Sequence, residues 1–120
     1  GRMKTYEADE QAALFDWAEV MSKTYPELEL LHHIPNGGSR HPKEAANLKR
    51  QGVKAGVPDI CLPVPRCGYH GLYVEIKVKP NKPTEEQLKW LKNLYKQGYD
   101  VCICYSWFSA KTKIESYLGV

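Results

Sequence analysis

Two segments decide the fold, Val57-Pro-Asp-Ile-Cys-Leu62 and Leu72-Tyr-Val-Glu-Ile-Lys-Val78. Each contains a short apolar run bounded by Pro or Gly, which is typical of β-strands. We expect the strands at 59–62 and 72–78. The Arg66-Cys-Gly-Tyr-His-Gly71 stretch between them favours a turn. The two segments therefore predict a β-hairpin.

The register of this hairpin has two close alternatives. If it is centred on Cys67, Asp59 lies opposite Glu75, and if it is centred on Gly68, Asp59 lies opposite Lys77. Glu75 and Lys77 are two residues apart, so both project from the same face of their strand. Directly facing Cβ atoms lie about 5 Å apart. Either register brings two carboxylates and an ammonium group together.

Such a group suits metal-assisted hydrolysis of a phosphodiester bond. Two adjacent carboxylates repel each other unless a divalent cation lies between them, and Asp59 and Glu75 offer the oxygen ligands that Mg²⁺ or Mn²⁺ prefers. Lys77 would orient or help to deprotonate the attacking water, or neutralise charge on the phosphate. The alternative is an Asp with a Glu–Lys pair on an exposed sheet face, which is common and contributes little.

The remaining segments predict an α/β domain with one central sheet flanked by helices. Apolar spacing of three and four indicates an amphipathic helix at 9–23, and Thr84-Glu-Glu-Gln87 has the form of a helix capping box. The elements expected further along the chain are strands at 29–34 and 100–105, helices at 42–51, 84–98 and 109–118, and a loop at 35–40.

Composition fits one soluble globular domain, expected at 3–120, with Gly1-Arg2 as a tag remnant. The 120 residues are 42% apolar and 26% charged, and the net charge of +3 is compatible with a polyanionic partner. No membrane span or signal region is apparent, and four cysteines are too few for a disulfide scaffold. We expect reduced thiols in a cytosolic setting. The alternative is a zinc-stapled binding domain, although the cysteine spacings do not match the usual zinc knuckles.

Pro58-Asp59 with Glu75-Ile76-Lys77 resembles the PD-(D/E)xK nuclease signature. The surrounding sequence resembles the VRR-NUC (virus-type replication-repair nuclease) branch of that superfamily, and the ordered set covers nearly the whole chain. The supporting pieces are Glu7-x-x-x-Gln11, Asn36-Gly-Gly-x-Arg40, Gly52-Val-Lys-Ala-Gly-Val-Pro-Asp59, Thr84-x-x-Gln87 with Trp90, and Gly98-Tyr99.

The resemblance implies a restriction-endonuclease-like core of mixed sheet and helices, a Mg²⁺ or Mn²⁺ cofactor and cleavage of the DNA backbone. Short stand-alone viral members are similar to Holliday-junction resolvases that act as homodimers on branched DNA. A protein of that kind would work in the cytoplasm of a bacterial host. The alternatives are a nuclease acting on flap, nicked or linear duplex DNA, and a non-catalytic DNA-binding module with this fold.

The resemblance also implies roles for individual residues. Asp59 and Glu75 match metal ligands, Lys77 matches the catalytic lysine, and the main-chain carbonyl of Ile76 matches a further ligand. A glutamate in the first helix is expected near the metal, and both Glu7 and Glu10 fit that position. Gln87 matches a glutamine beside the active site, and its alternative role is to complete the capping box.

The expected DNA-binding region is rich in basic residues and contains two glycines that allow the backbone to approach phosphate. The alternative is a solvated basic helix face. The candidate DNA-binding residues are Asn36, Gly37, Gly38, Arg40, Lys43, Lys49, Arg50 and Lys54.

Overall fold

A computed structural model describes residues 2–35 and 41–120, with side chains from Tyr6 onward. Most of the predicted loop at 35–40 therefore lies outside the described residues. The elements are α1 (Arg2–Met21), a 3₁₀ helix (Pro26–Leu30), β1 (His32–His33), α2 (Pro42–Arg50), β2 (Ile60–Leu62), β3 (Leu72–Ile76), α3 (Glu85–Lys96), β4 (Asp100–Cys104) and α4 (Trp107–Leu118). The predicted α/β class, a mixed sheet flanked by helices, is confirmed.

The described strands form one sheet in the order β1-β2-β3-β4. β1, β2 and β3 are antiparallel neighbours, whereas β3 and β4 run parallel and are connected through α3. β2 pairs with β3 in the register Ile60↔Val74 and Leu62↔Leu72, which is the hairpin register centred on Cys67. Continuing the register by one residue brings Asp59 opposite Glu75.

β3 is covered on both faces: one face packs in the hydrophobic core, and the other carries Glu75. Leu72, Val74 and Ile76 alternate along the strand and join the core formed with helices α1 and α4. The residues between them, Tyr73 and Glu75, point to the opposite face because side chains alternate along a strand. The hydrophobic face therefore anchors the strand that presents Glu75.

The predicted strand at 29–34 is wrong over most of its length. The chain forms the 3₁₀ helix Pro26–Leu30 and then only the two-residue strand β1. Pro26 lies in the first turn, where a missing N–H has no cost, and Leu28 and Leu31 are both buried. A spacing of three between buried residues fits a 3₁₀ turn, whereas a strand would bury alternate residues.

Two predicted helices begin earlier than expected. α1 begins at Arg2, before the apolar spacing that signals it, and α4 begins at Trp107 because the Ser106 side chain accepts a hydrogen bond from the Ser109 N–H. Within the described residues, no helix has both the length and the apolar character needed to cross a membrane.

The predicted capping box at the start of α3 is confirmed. The Gln87 N–H donates to Thr84 Oγ1 at 3.1 Å, and the Thr84 N–H donates to Gln87 Oε1 at 2.8 Å.

The segment before β2 packs against the first turn of α3 at Gly56, whose φ is +88°. A Cβ at Gly56 would lie 2.8 Å from the carbonyl carbon of Glu86. The close approach therefore requires glycine.

We predict that Gly56→Ala lowers the free energy of unfolding by roughly 3 kcal/mol, because a left-handed backbone and a backbone clash act together. Gly52→Ala is the matched control: Gly52 also has a positive φ, of +102°, but no atom of the described residues lies within 4 Å of a Cβ built there. We expect the control to lose only about 1 kcal/mol. Urea unfolding measures both losses, and equal losses would contradict the packing at Gly56.

Candidate active site

Glu75 is the centre of the site. It lies on β3 and is only 1% exposed. Its Oε2 accepts a hydrogen bond from Gln87 Nε2 at 3.1 Å, and Lys77 Nζ lies 4.0 Å from the same oxygen. Its Oε1 is buried and has no hydrogen-bond partner among the described residues. A buried polar atom without a partner is costly, which marks the position as functional rather than structural.

Asp59 is held against Glu75 by main-chain contacts on both sides. Its Oδ2 accepts a hydrogen bond from the Ile76 N–H at 3.0 Å, across the β2–β3 pair. Its carbonyl accepts one from the Ile34 N–H at 2.7 Å and lies 2.8 Å from His33 Nδ1. The carboxylate is thus fixed in orientation by the sheet.

The contact of His33 with Asp59 was not predicted from sequence. His33 belongs to β1, and only the pairing of β1 with β2 brings its ring to the Asp59 carbonyl. The sequence signal, two histidines before a loop, does not distinguish this role from an exposed position.

The electrostatics of the pair favour a proton on Glu75. The pKa of the Glu75 carboxyl is raised to about 9 by burial first, then by the charge and hydrogen bond of Asp59 and by the charge of Glu7, while the charge of Lys77 acts in the opposite direction. The charged carboxylate is therefore unfavourable unless positive charge comes close to it.

The sequence did not determine whether Glu7 or Glu10 is the α1 carboxylate of the site, and in the structure the two side chains have different partners. Glu7 Oε2 accepts a hydrogen bond from Asn81 Nδ2 at 2.9 Å, and its charge acts on Glu75. Glu10 Oε1 instead accepts one from the Trp107 N–H at 2.8 Å, at the first turn of α4. The geometry favours Glu7 as the α1 carboxylate of the site and gives Glu10 a capping role.

Lys77 is mostly buried directly beyond the end of β3. Its main-chain N–H donates to the Cys104 carbonyl at 2.9 Å, so the parallel neighbour β4 fixes the backbone that carries the lysine.

Gln87, on α3, takes part in the capping box and also donates the hydrogen bond to Glu75. The two alternatives for this glutamine therefore coexist.

The VRR-NUC domain family model matches residues 5–107 of the chain. The chain belongs to the VRR-NUC family. A solved structure described as a VRR_NUC domain protein is similar, with a TM-score of 0.81 and 30% identity over 95% of this chain and 88% of that chain. No curated protein matches. Membership of the family implies a nuclease of the PD-(D/E)xK type and DNA as its partner.

The VRR-NUC site has a donor set that fits a hard divalent cation. Asp59, Glu75 and Glu7 carry carboxylates, the Ile76 carbonyl lies between Glu75 and Lys77 in the chain, and Glu75 Oε1 lacks a hydrogen-bond partner in the part of the chain that the structure describes. In the described part of the chain, no three His, Cys, Asp or Glu side chains already form a ligand group. Each carboxylate instead accepts a hydrogen bond from an amide: Asp59 from the Ile76 N–H, Glu75 from the Gln87 side chain and Glu7 from the Asn81 side chain.

The zinc alternative has no support within the described ranges, because all four cysteines are free thiols and no such ligand group includes them. Cys102 and Cys104 do share one side of β4, with their sulfurs 3.7 Å apart, as expected for positions two apart on a strand. Their contact is with each other, close to the core.

Only some of the candidate DNA-binding residues fall within the described structure. Lys43, Lys49 and Arg50 are exposed on α2, which has no buried residue, and Lys54 is exposed four residues after Arg50. The predicted Asn36, Gly37, Gly38 and Arg40 lie outside the described residues.

We predict that Glu75→Gln stabilises the protein in EDTA by more than about 2 kcal/mol at pH 8. Because the carboxyl pKa rises from 4.5 to about 9 on folding, the folded chain holds a proton that the unfolded chain releases. Stability therefore falls as the pH rises through this window. Glutamine keeps the acceptor for Gln87 and offers an N–H to Asp59.

Chemical denaturation from about pH 4 to pH 9 measures this difference. The gap between wild type and Glu75→Gln should be small at the acid end and widen with pH. Glu19→Gln, which neutralises an exposed carboxylate on α1, is the matched control and should show no widening. A constant gap for Glu75→Gln would contradict the raised pKa.

Proposed function

We propose that this VRR-NUC protein is a metal-dependent DNA endonuclease that uses Mg²⁺ or Mn²⁺ to hydrolyse phosphodiester bonds. The observation that carries the proposal is the buried Glu75 carboxyl, one oxygen of which has no hydrogen-bond partner among the described residues, beside the Asp59 carboxylate and the Lys77 ammonium group. A purely structural Glu75 would have both oxygens satisfied.

Asp59 and Glu75 would hold the cation, with Glu7 and the Ile76 carbonyl as further donors. When bound, a divalent cation polarises the scissile phosphate and lowers the pKa of a water. Gln87 orients the Glu75 carboxylate through its amide N–H, and the Ile76 N–H does the same for Asp59. The chain thereby fixes two acceptor groups that would otherwise repel each other.

Lys77 would act on the reacting atoms. Its ammonium group lies at the edge of the carboxylate pair, where it would orient the attacking water and stabilise negative charge developing on the phosphate. The exposed basic residues of α2 would contact the DNA backbone outside this centre, since lysine and arginine bind phosphate without reading sequence.

The proposed substrate is a four-way DNA junction, cut by a homodimer. A junction has two-fold symmetry, and a dimer of identical chains presents two sites related by the same symmetry. The described residues of one chain contain one Asp59–Glu75 pair, so each chain would cut one strand. This substrate follows from the family resemblance and from the symmetry argument.

We predict that Lys77→Met and Asp59→Asn each lower the rate of DNA cleavage by about 10²-fold or more, because each removes charge at the reacting centre. DNA binding, measured by anisotropy in EDTA, should change by less than about twofold. Lys23→Met, at an exposed residue in the turn that follows α1, is the control for charge loss and should cut at the wild-type rate. Full activity in either variant with Mg²⁺ or Mn²⁺ would exclude the assigned roles.

We predict that wild-type protein makes paired, symmetric cuts in a labelled four-way junction, and that EDTA abolishes them. A dimer of one wild-type and one Lys77→Met chain, purified with two different tags, should nick only one strand of each pair. The same protein should leave linear duplex of equal sequence uncut. Cleavage of linear, nicked and flap DNA at similar rates would keep the nuclease and refute the junction specificity.

A further inference from the structure

A cavity of about 470 Å³ lies between the chain that leads into β2 and one face of α3. This volume is in the range of small-ligand sites. Of its lining residues, only Lys54 belongs to the candidate DNA-binding residues. Its lining combines one aromatic ring, two lysines and two polar side chains: Lys54, Ala55, Glu86, Lys89, Trp90 and Asn93.

Both walls of the cavity connect directly to the active site. One wall, at Lys54, precedes Asp59 by five residues, and the other begins at Glu86, next to the Gln87 that binds Glu75. The walls meet at Gly56, where the backbone contacts Glu86 closely enough to exclude a side chain. The two segments that line the cavity therefore lead directly to Asp59 on one side and to Gln87 on the other.

The chemistry of the lining fits a nucleotide better than a phosphate ion alone. Trp90 is half-buried and offers an indole on which a base would stack. Lys54 and Lys89 are exposed, and no ion pair or hydrogen bond engages their ammonium groups within the described ranges. Glu86 repels a phosphate at the centre, but its carboxylate and the Asn93 amide suit the polar edge of a base.

We propose that this cavity binds one unpaired nucleotide of the DNA substrate next to the cleaved bond, with the base on Trp90 and the flanking phosphates on Lys54 and Lys89. A base inside a duplex is already stacked and has no free face, so the site selects DNA in which a nucleotide has left the stack. The proposal deepens the proposed function and rests on DNA being the substrate. At an open four-way junction, the bases at the crossover are still paired but have lost one stacking neighbour, so less energy is needed to unpair one of them and bring it into the cavity.

The test measures binding in EDTA, so that no cleavage occurs. Wild type, Trp90→Ala, Trp90→Phe and Lys89→Gln are titrated with a duplex, with the same duplex bearing a single-stranded overhang, and with a four-way junction. Trp90→Ala should weaken overhang and junction binding about tenfold, equivalent to ~1.4 kcal/mol, and duplex binding less than twofold. Trp90→Phe should retain most of the affinity, since it keeps an aromatic face.

For overhang binding, the logarithm of the binding constant falls linearly with the logarithm of the salt concentration, and we call the steepness of this fall the salt slope. Lys89→Gln should make the salt slope shallower by the amount expected for the loss of about one phosphate contact. Lys92→Gln, an exposed lysine of α3 outside the cavity, is the matched control and should leave that slope unchanged. In a second readout, 2-aminopurine placed along the overhang should change its fluorescence at one position in wild type and at none in Trp90→Ala.

Equal losses on duplex and overhang, or no position-specific fluorescence change, would overturn the nucleotide site. Because Lys89→Gln alters an exposed residue, an unchanged salt slope in this variant would count against the site even if Trp90→Ala were to unfold. A protein that shows the stacking signal but cuts no DNA with Mg²⁺ or Mn²⁺ would retain the site and lose the proposed nuclease activity. The two failures are therefore distinguishable.

Discussion

The burial of the Glu75 carboxyl is the constraint on which the rest of the structure depends. A carboxyl that is 1% exposed must be neutral, paired or bound to a cation. Here the neighbouring elements place the groups that interact with it. The β2–β3 register brings Asp59 opposite it, α3 begins where Gln87 reaches its Oε2, and the strand continues into Lys77. The register of the sheet and the position of α3 together determine the surroundings of the Asp59–Glu75 pair.

The cost of this arrangement is offset on the other face of the same strand. Leu72, Val74 and Ile76 are at most 1% exposed and pack in the core with α1 and α4, and full burial of such side chains contributes about 1.5–3 kcal/mol each. That gain exceeds the penalty of one unpartnered carboxylate oxygen, about 1–3 kcal/mol. β3 therefore tolerates the buried Glu75 carboxyl because the side chains on its opposite face are apolar and buried.

The parts predicted well from sequence were those fixed by local rules. The spacing of Asp59, Glu75 and Lys77 limited the hairpin to two registers, of which the structure has the one centred on Cys67, and the capping box followed from Thr84-Glu-Glu-Gln87. The strand expected at 29–34 failed because a short apolar run cannot distinguish a 3₁₀ turn from a strand without its tertiary partners. Glu7 and Glu10 lie on similar faces of one helix, and only the positions of Asn81 and Trp107 separate them.

Helix α3 connects the carboxylates with the cavity. Gln87 and Trp90 are three residues apart, so both lie on neighbouring positions of the helix surface. The first turn that carries Gln87 is fixed by the capping box and by the contact at Gly56. A base stacked on Trp90 would hold the adjoining phosphate at a defined distance from Glu75. Misplacing a reacting group by about 1 Å is enough to lose much of the rate, so an unpaired nucleotide held in this cavity would contribute to cleavage through position as well as affinity.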